Sequence, residues 1–99
     1  MEPVLAYEDF VQQANTKFEI QLEEQTVIEL ELTEISEAKR NGSQEQFALI
    51  FRGPLDVFLE QSTRSVSHKH FGQFDLFLVP VSQDAQGFYY EAVFNRFIE

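Results

Sequence analysis

Gln73–Ile98 reads QFDLFLVPVSQDAQGFYYEAVFNRFI, two apolar, aromatic runs on either side of a polar turn. An Asp and a Gly bracket that turn, the residue types that close hairpins. With Asp84–Gly87 as the loop, counting back predicts that Val79 faces Ala92, Phe77 faces Phe94, and Asp75 meets Arg96 as an opposite-charge pair. The first run is apolar on both faces: Phe77, Val79 and Val81 on one, Phe74, Leu76 and Leu78 on the other. A strand of that kind belongs near the middle of a small barrel or beneath a covering element. Pro80 interrupts it and has no N–H to give a ladder, so a bulge or a strand end is expected there.

Ninety-nine residues support one domain and one core. Eleven phenylalanines make a packed interior attainable without staples, and the absence of Cys excludes disulfides, thiolate catalysis and Cys-ligated zinc. The first ten residues show neither a basic region nor an apolar run of signal length, and no stretch approaches a transmembrane helix, so a soluble, cytoplasmic protein is expected. The net charge is −10 and unevenly placed: residues 1–38 hold ten acids against one base, residues 39–99 seven acids against six bases. Such a field opposes phosphate backbones and anionic lipid, which argues against nucleic-acid and membrane partners. It is read first as a solvated face, and alternatively as a dock for a basic protein partner.

Outward from the hairpin, Tyr7–Ala14 carries Tyr7, Phe10, Val11 and Ala14 at helical spacing, with Glu8 and Asp9 in its first turn and Asn15 and Thr16 as stop residues. Lys17–Leu22 alternates as a strand with Phe18, Ile20 and Leu22 inward, and Glu23 and Glu24 turn the chain. Thr26–Ile35 alternates again, Ile28, Leu30 and Leu32 inward and Glu29, Glu31 and Thr33 outward. Asn41-Gly42 marks a turn in the polar stretch before Gln46–Arg52, a strand with Phe47, Leu49 and Phe51 inward that Gly53-Pro54 ends. Leu55–Glu60 is expected as irregular chain or a single helical turn, with Leu55, Phe58 and Leu59 able to plug an open end of the barrel. Ser62–His68, polar around Val66, reads as an edge strand. The sum is a mainly β fold: a small, partly closed antiparallel barrel of about six strands with one short N-terminal helix.

Little in the chain has the pattern of chemistry. His68-Lys69-His70 places two imidazoles on one face of an extended strand, but no third ligand stands at a telling spacing, so no metal and no cofactor is expected. Arg52 beside Gly53-Pro54 could clamp a carboxylate or phosphate; in a chain so acidic it more simply ties the turn to an acid such as Glu60 or Asp56. Asn95-Arg96 invites the same comparison. There is no nucleophile elbow, and the four glycines stand singly, so no phosphate loop is present.

Laid end to end, FRGP at 51–54, Leu59-Glu60-Gln61, the His68 strand, Gly72, FLVPV at 77–81 and YEAVFNR at 90–96 resemble a family of small uncharacterised bacterial proteins of about this length. The matching positions are Phe10, Arg52, Gly53, Pro54, Gln61, His68, Gly72, Pro80, Tyr90, Glu91, Asn95 and Arg96. Where that family has an aromatic before the His strand, this chain has Arg64 and Ser65. The resemblance implies a genomic setting beside phage-tail-collar-like proteins and carries no activity. The expectation is therefore a non-enzymatic assembly or protein-interaction module, self-association being one form of it. A small-ligand-binding barrel is the alternative.

Overall fold

The computed structural model describes residues 7–23 and 25–97, at 96–97 the backbone alone. One helix, α1 (Tyr7–Gln12), precedes seven strands: β1 (Lys17–Gln21), β2 (Val27–Ile35), β3 (Lys39–Asn41), β4 (Gln44–Gly53), β5 (Ser62–His68), β6 (Gly72–Asp84) and β7 (Gly87–Phe97). They form one antiparallel sheet in the order β2-β1-β5-β6-β7-β4-β3, and a further β2–β4 pairing joins its ends. The result is a closed six-stranded barrel with β3 as an additional strand on β4. Closure hides the strand edges that an open sheet of this size would present.

Alternation decides what lies inside. In β4 the pattern runs Glu45, Phe47, Leu49, Phe51, Gly53 inward, and β1 and β2 contribute Phe18, Ile20, Leu30 and Leu32. Leu76 and Leu78 of β6, with Tyr90 and Ala92 of β7, complete the interior. Phe10 of α1 is fully buried, its ring 5.3 Å from Phe94 and 6.4 Å from Phe74. The helix thus fills one end of the barrel. It stops where Asn15 takes a left-handed φ of 68°, a conformation Asn tolerates better than most residues, and the Asn15 N–H donates to the Leu32 carbonyl at 2.7 Å.

Several expectations change. The helix ends at Gln12, and of its supposed apolar face only Phe10 is buried; Val11 and Ala14 are exposed. Ser62–His68 is not an edge: β5 lies between β1 and β6, and it is polar because its outward side faces water. Of the plug residues, Leu59 is buried, whereas Leu55 and Phe58 are about half exposed. The residues about Asn41-Gly42 form the β3–β4 hairpin, with Gly42 at φ 64°. Glu24, assigned to a turn, lies outside the described residues.

The largest correction concerns the hairpin. Near its turn the register is as counted, Asp84↔Gly87, Gln83↔Phe88 and Ser82↔Tyr89. It then slips by one residue between Pro80 and Ser82, so that Val79 opposes Glu91 rather than Ala92. The irregularity falls at the proline, as its missing N–H requires. The β6–β7 ladder ends at that pair; beyond it β6 continues on β5, where Asp75 pairs with Ser65, and β7 continues on β4, where Arg96 pairs with Glu45. Asp75 and Arg96 are therefore not cross-strand partners. Nor does a covering element lie over the outer side of β6 among the described residues, for Phe77 and Val81 are 51% and 49% exposed.

Candidate functional site

At the end of β5 the chain brings His68 inward, parallel with Val66. Its ring lies between Phe18, with centroids 4.2 Å apart, and Phe71, 4.5 Å away in a stacked geometry. Nδ1 accepts the His70 backbone N–H at 3.0 Å, which assigns the ring proton to Nε2. Nε2–H then donates to Thr16 Oγ1 at 3.0 Å, and the Thr16 hydroxyl donates to the Gln13 carbonyl at 2.7 Å. Every lone pair and proton of the imidazole is thereby used in its neutral form. Burial, and secondarily the charge of His70, push the His68 pKa below its ordinary value.

That geometry also separates the two histidines. His70 is not on the strand; it lies in the β5–β6 turn, which re-enters β6 through Gly72 at φ 75°. A concavity of about 530 Å³ beside them includes Lys17, Glu19, Glu29 and Ser67. Among the described residues no group of three His, Asp or Glu side chains stands close enough to hold a metal ion.

Arg52 points away from buried Phe51, to the outer side of β4. Its partner is neither Glu60 nor Asp56: Nη2 meets Glu31 Oε1 at 3.1 Å, and Nη1 donates to Gln86 Oε1 at 3.3 Å. Glu31 stands directly opposite Arg52 in the β2–β4 ladder and opposite Lys17 in the β1–β2 ladder, and Lys17 Nζ is 3.6 Å from the same oxygen. Ladder register, invisible to sequence spacing, selected this acid. Gly53 is needed for room: a Cβ there would stand 2.6 Å from Leu30 Cδ2 and 3.2 Å from the Tyr90 ring. Gly87 is tighter still, for its Cβ would run into the Gly53 carbonyl oxygen and stand 2.8 Å from Arg52 Cγ. Asp84 completes the turn by accepting the Gln86 and Gly87 N–H groups and the Tyr89 hydroxyl. These bonds, the Gln86 N–H first and the Tyr89 hydroxyl next, hold its carboxyl below the usual range. Pro54 ends β4 as expected.

Asn95 is exposed on the outer side of β7, opposite Gln46. The side chain of Arg96 lies outside the described residues. Arg64 follows the inward parity of Val66 and His68. Its Nη2 donates to the Glu60 carbonyl at 3.1 Å, and its buried Nε has no hydrogen-bond partner. Near it Tyr90 is fully buried, its hydroxyl accepting the Leu59 N–H at 3.0 Å, and burial pushes the phenol pKa up.

The sequence-level motifs therefore do not converge on one site. His68 serves one part of the barrel, Arg52-Gly53-Pro54 another, and Asn95 a third. What sequence reasoning passed over is the outer surface of β6, β7 and β4. There Phe77, Val81 and Val93 are each about half exposed, and Glu91 stands between Val79 on β6 and Ile50 on β4. The signal is the double-faced apolarity of residues 74–81, which by itself does not say which of the two faces the barrel leaves in water.

Fold and surface together define a small closed antiparallel barrel whose motif residues stand at separate points. The chain belongs to the family described as "Domain of unknown function (DUF6916)", whose model matches residues 5–94. No curated protein and no solved structure matches it.

Proposed function

We propose that this barrel is a non-enzymatic assembly or protein-interaction module, an accessory of the phage-tail-related kind implied by the sequence resemblance, acting in the cytoplasm. The observation that carries the reading is the contrast between the two sides of β6. Leu76 and Leu78 fill the interior, while Phe77 and Val81 on the other side of the same strand stand in solvent, as does Val93 of β7. Large apolar side chains grouped on the outer side of a completed barrel add nothing to its core, and such patches mark contact surfaces. The acidic outer side of β1 and β2, where Glu19 directly opposes Glu29, is a poor match for nucleic acid or anionic membrane.

The small-ligand reading has its footholds in surface concavities, one of about 530 Å³ beside His68 and His70 and one of about 430 Å³ at Leu59 and Arg64; both are lined in part by acids, and the barrel interior proper is occupied by its own side chains. The interaction reading is therefore preferred. Its test is affinity purification of the tagged chain from its native host, alongside a Phe77→Lys, Val93→Lys variant. A stoichiometric protein partner retained by the native chain and lost by the variant, at unchanged melting temperature, is the expected result. Equal recovery by both, or no stoichiometric partner, would reject it.

A further inference from the structure

The outer face of β6–β7–β4 has a charged centre. Glu91 is half-buried. Its ladder neighbours are apolar on both sides, Val79 in β6 and Ile50 in β4. Two residues along, the same face carries Val93, which opposes Ala48, and Phe77. The three ion pairs of the described residues lie elsewhere, on Lys17, Arg40 and Arg52, and none of the described residues hydrogen-bonds the Glu91 carboxylate. By contrast Glu31, in the corresponding place between β1 and β4, faces a cation on each side. Arg52, two residues from Ile50 on the same side of β4, is turned to Glu31 and Gln86 instead, so a carboxylate flanked by Val79 and Ile50 loses part of its hydration with no paired cation among the described residues to offset it.

We propose that this face docks a protein segment presenting one Arg or Lys side chain flanked by apolar residues, the cation landing on Glu91 and the apolar flanks on Phe77, Val79 and Val93. The proposal rests on the interaction reading above and names the chemistry of its partner. Charge selects the occupant. A second copy docked about a twofold axis through this patch would set Glu91 against its own counterpart, between two chains that each carry a net charge of −10. A partner bearing a cation meets no such penalty, and the acidic chain attracts it from a distance.

The test uses a blocked Val-Arg-Val tripeptide as probe, with Val-Glu-Val as its counterpart, titrated into the isotope-labelled full chain while valine and isoleucine methyl signals are followed. Saturable shifts confined to Val79, Val81, Val93 and Ile50 are expected with the Arg peptide and not with the Glu peptide. Glu91→Gln should weaken the Arg peptide about fivefold, the size of a partly screened ion pair, with an unchanged melting curve. Equal response to both peptides, shifts centred on another face, or indifference to Glu91→Gln would overturn the proposal. So would a concentration-dependent dimer dissociated by Phe77→Lys, which would give the face to a second copy. If Phe77→Lys, Val93→Lys abolishes capture of the native partner while Glu91→Gln leaves it intact, the face keeps its role and the cation inference alone fails.

Discussion

The two ends of the barrel are closed by opposite means. One end, under α1, is filled by bulk: Phe10 reaches Phe47, Phe71, Phe74 and Phe94 with ring centroids 5.3–6.4 Å apart, and His68 is stacked into the same cluster. The other, at the β6–β7 turn, is closed by the removal of bulk. There Gly53 and Gly87 let two backbone segments approach until neither could accept a Cβ without displacement, and Tyr90 ties Leu59 across the opening. Side chains can adjust and backbones adjust far less, so the two ends should respond differently to substitution.

Phe10→Ala should produce the largest loss, about 3–5 kcal/mol, because it removes a fully buried ring and leaves a void lined by four others. Chemical denaturation would measure it, and a loss under about 1 kcal/mol would mean that the helix does not hold this end closed. At the glycine end, Gly87→Ala should cost about 1–3 kcal/mol, and more than Gly53→Ala. The added methyl at 87 meets backbone, whereas at 53 its nearest contact is the far end of Leu30. Equal costs would show that the two closures do not differ as described.

The third test sharpens the same contrast through pH. Burial, then the charge of His70, lower the His68 pKa, so the unfolded chain takes up this proton first, near pH 6.5. Stability should therefore be flat with respect to His68 above about pH 6.5 and fall as the pH drops below it, levelling off beneath the lowered folded value. The difference in melting temperature between the native chain and His68→Gln, measured across that window, isolates this imidazole from the carboxylates; a difference independent of pH would contradict a neutral His68. The smallest effect is expected at Arg52. Its guanidinium is partly exposed and shares Glu31 with Lys17, so Arg52→Ala should lower stability by about 1 kcal/mol or less. A melting curve unchanged by Arg52→Ala together with loss of partner capture would move this residue from bracing to recognition.

The class of fold was legible because alternation is written directly into the residues. Phe47, Leu49 and Phe51, or Leu30 and Leu32, leave no choice of face, and Asn15, Gly42 and Pro54 punctuate the chain as their backbone preferences require. Pro80 even announced its bulge. What alternation cannot carry is the consequence of that bulge: one extra residue moved Val79 from Ala92 to Glu91 and removed the Asp75–Arg96 pair. Pairing between distant strands is likewise silent in local sequence. The closing β2–β4 ladder chose Glu31 for Arg52, and the meeting of the α1–β1 connection with the end of β5 gave His68 its Thr16 hydroxyl. The apolar outer side of β6 was misread for the same reason, since only the closed barrel decides which of two oily faces is left in water. Residues alone were enough for the six barrel strands, the turns at Asn41-Gly42 and Asp84–Gly87, and inward side chains such as Phe18, Leu30 and Phe47, because these follow from period-two patterning and local backbone preference. Register, partner choice and the exposed face were decided by tertiary structure, because each depends on residues dozens of positions apart being brought to within a few ångströms.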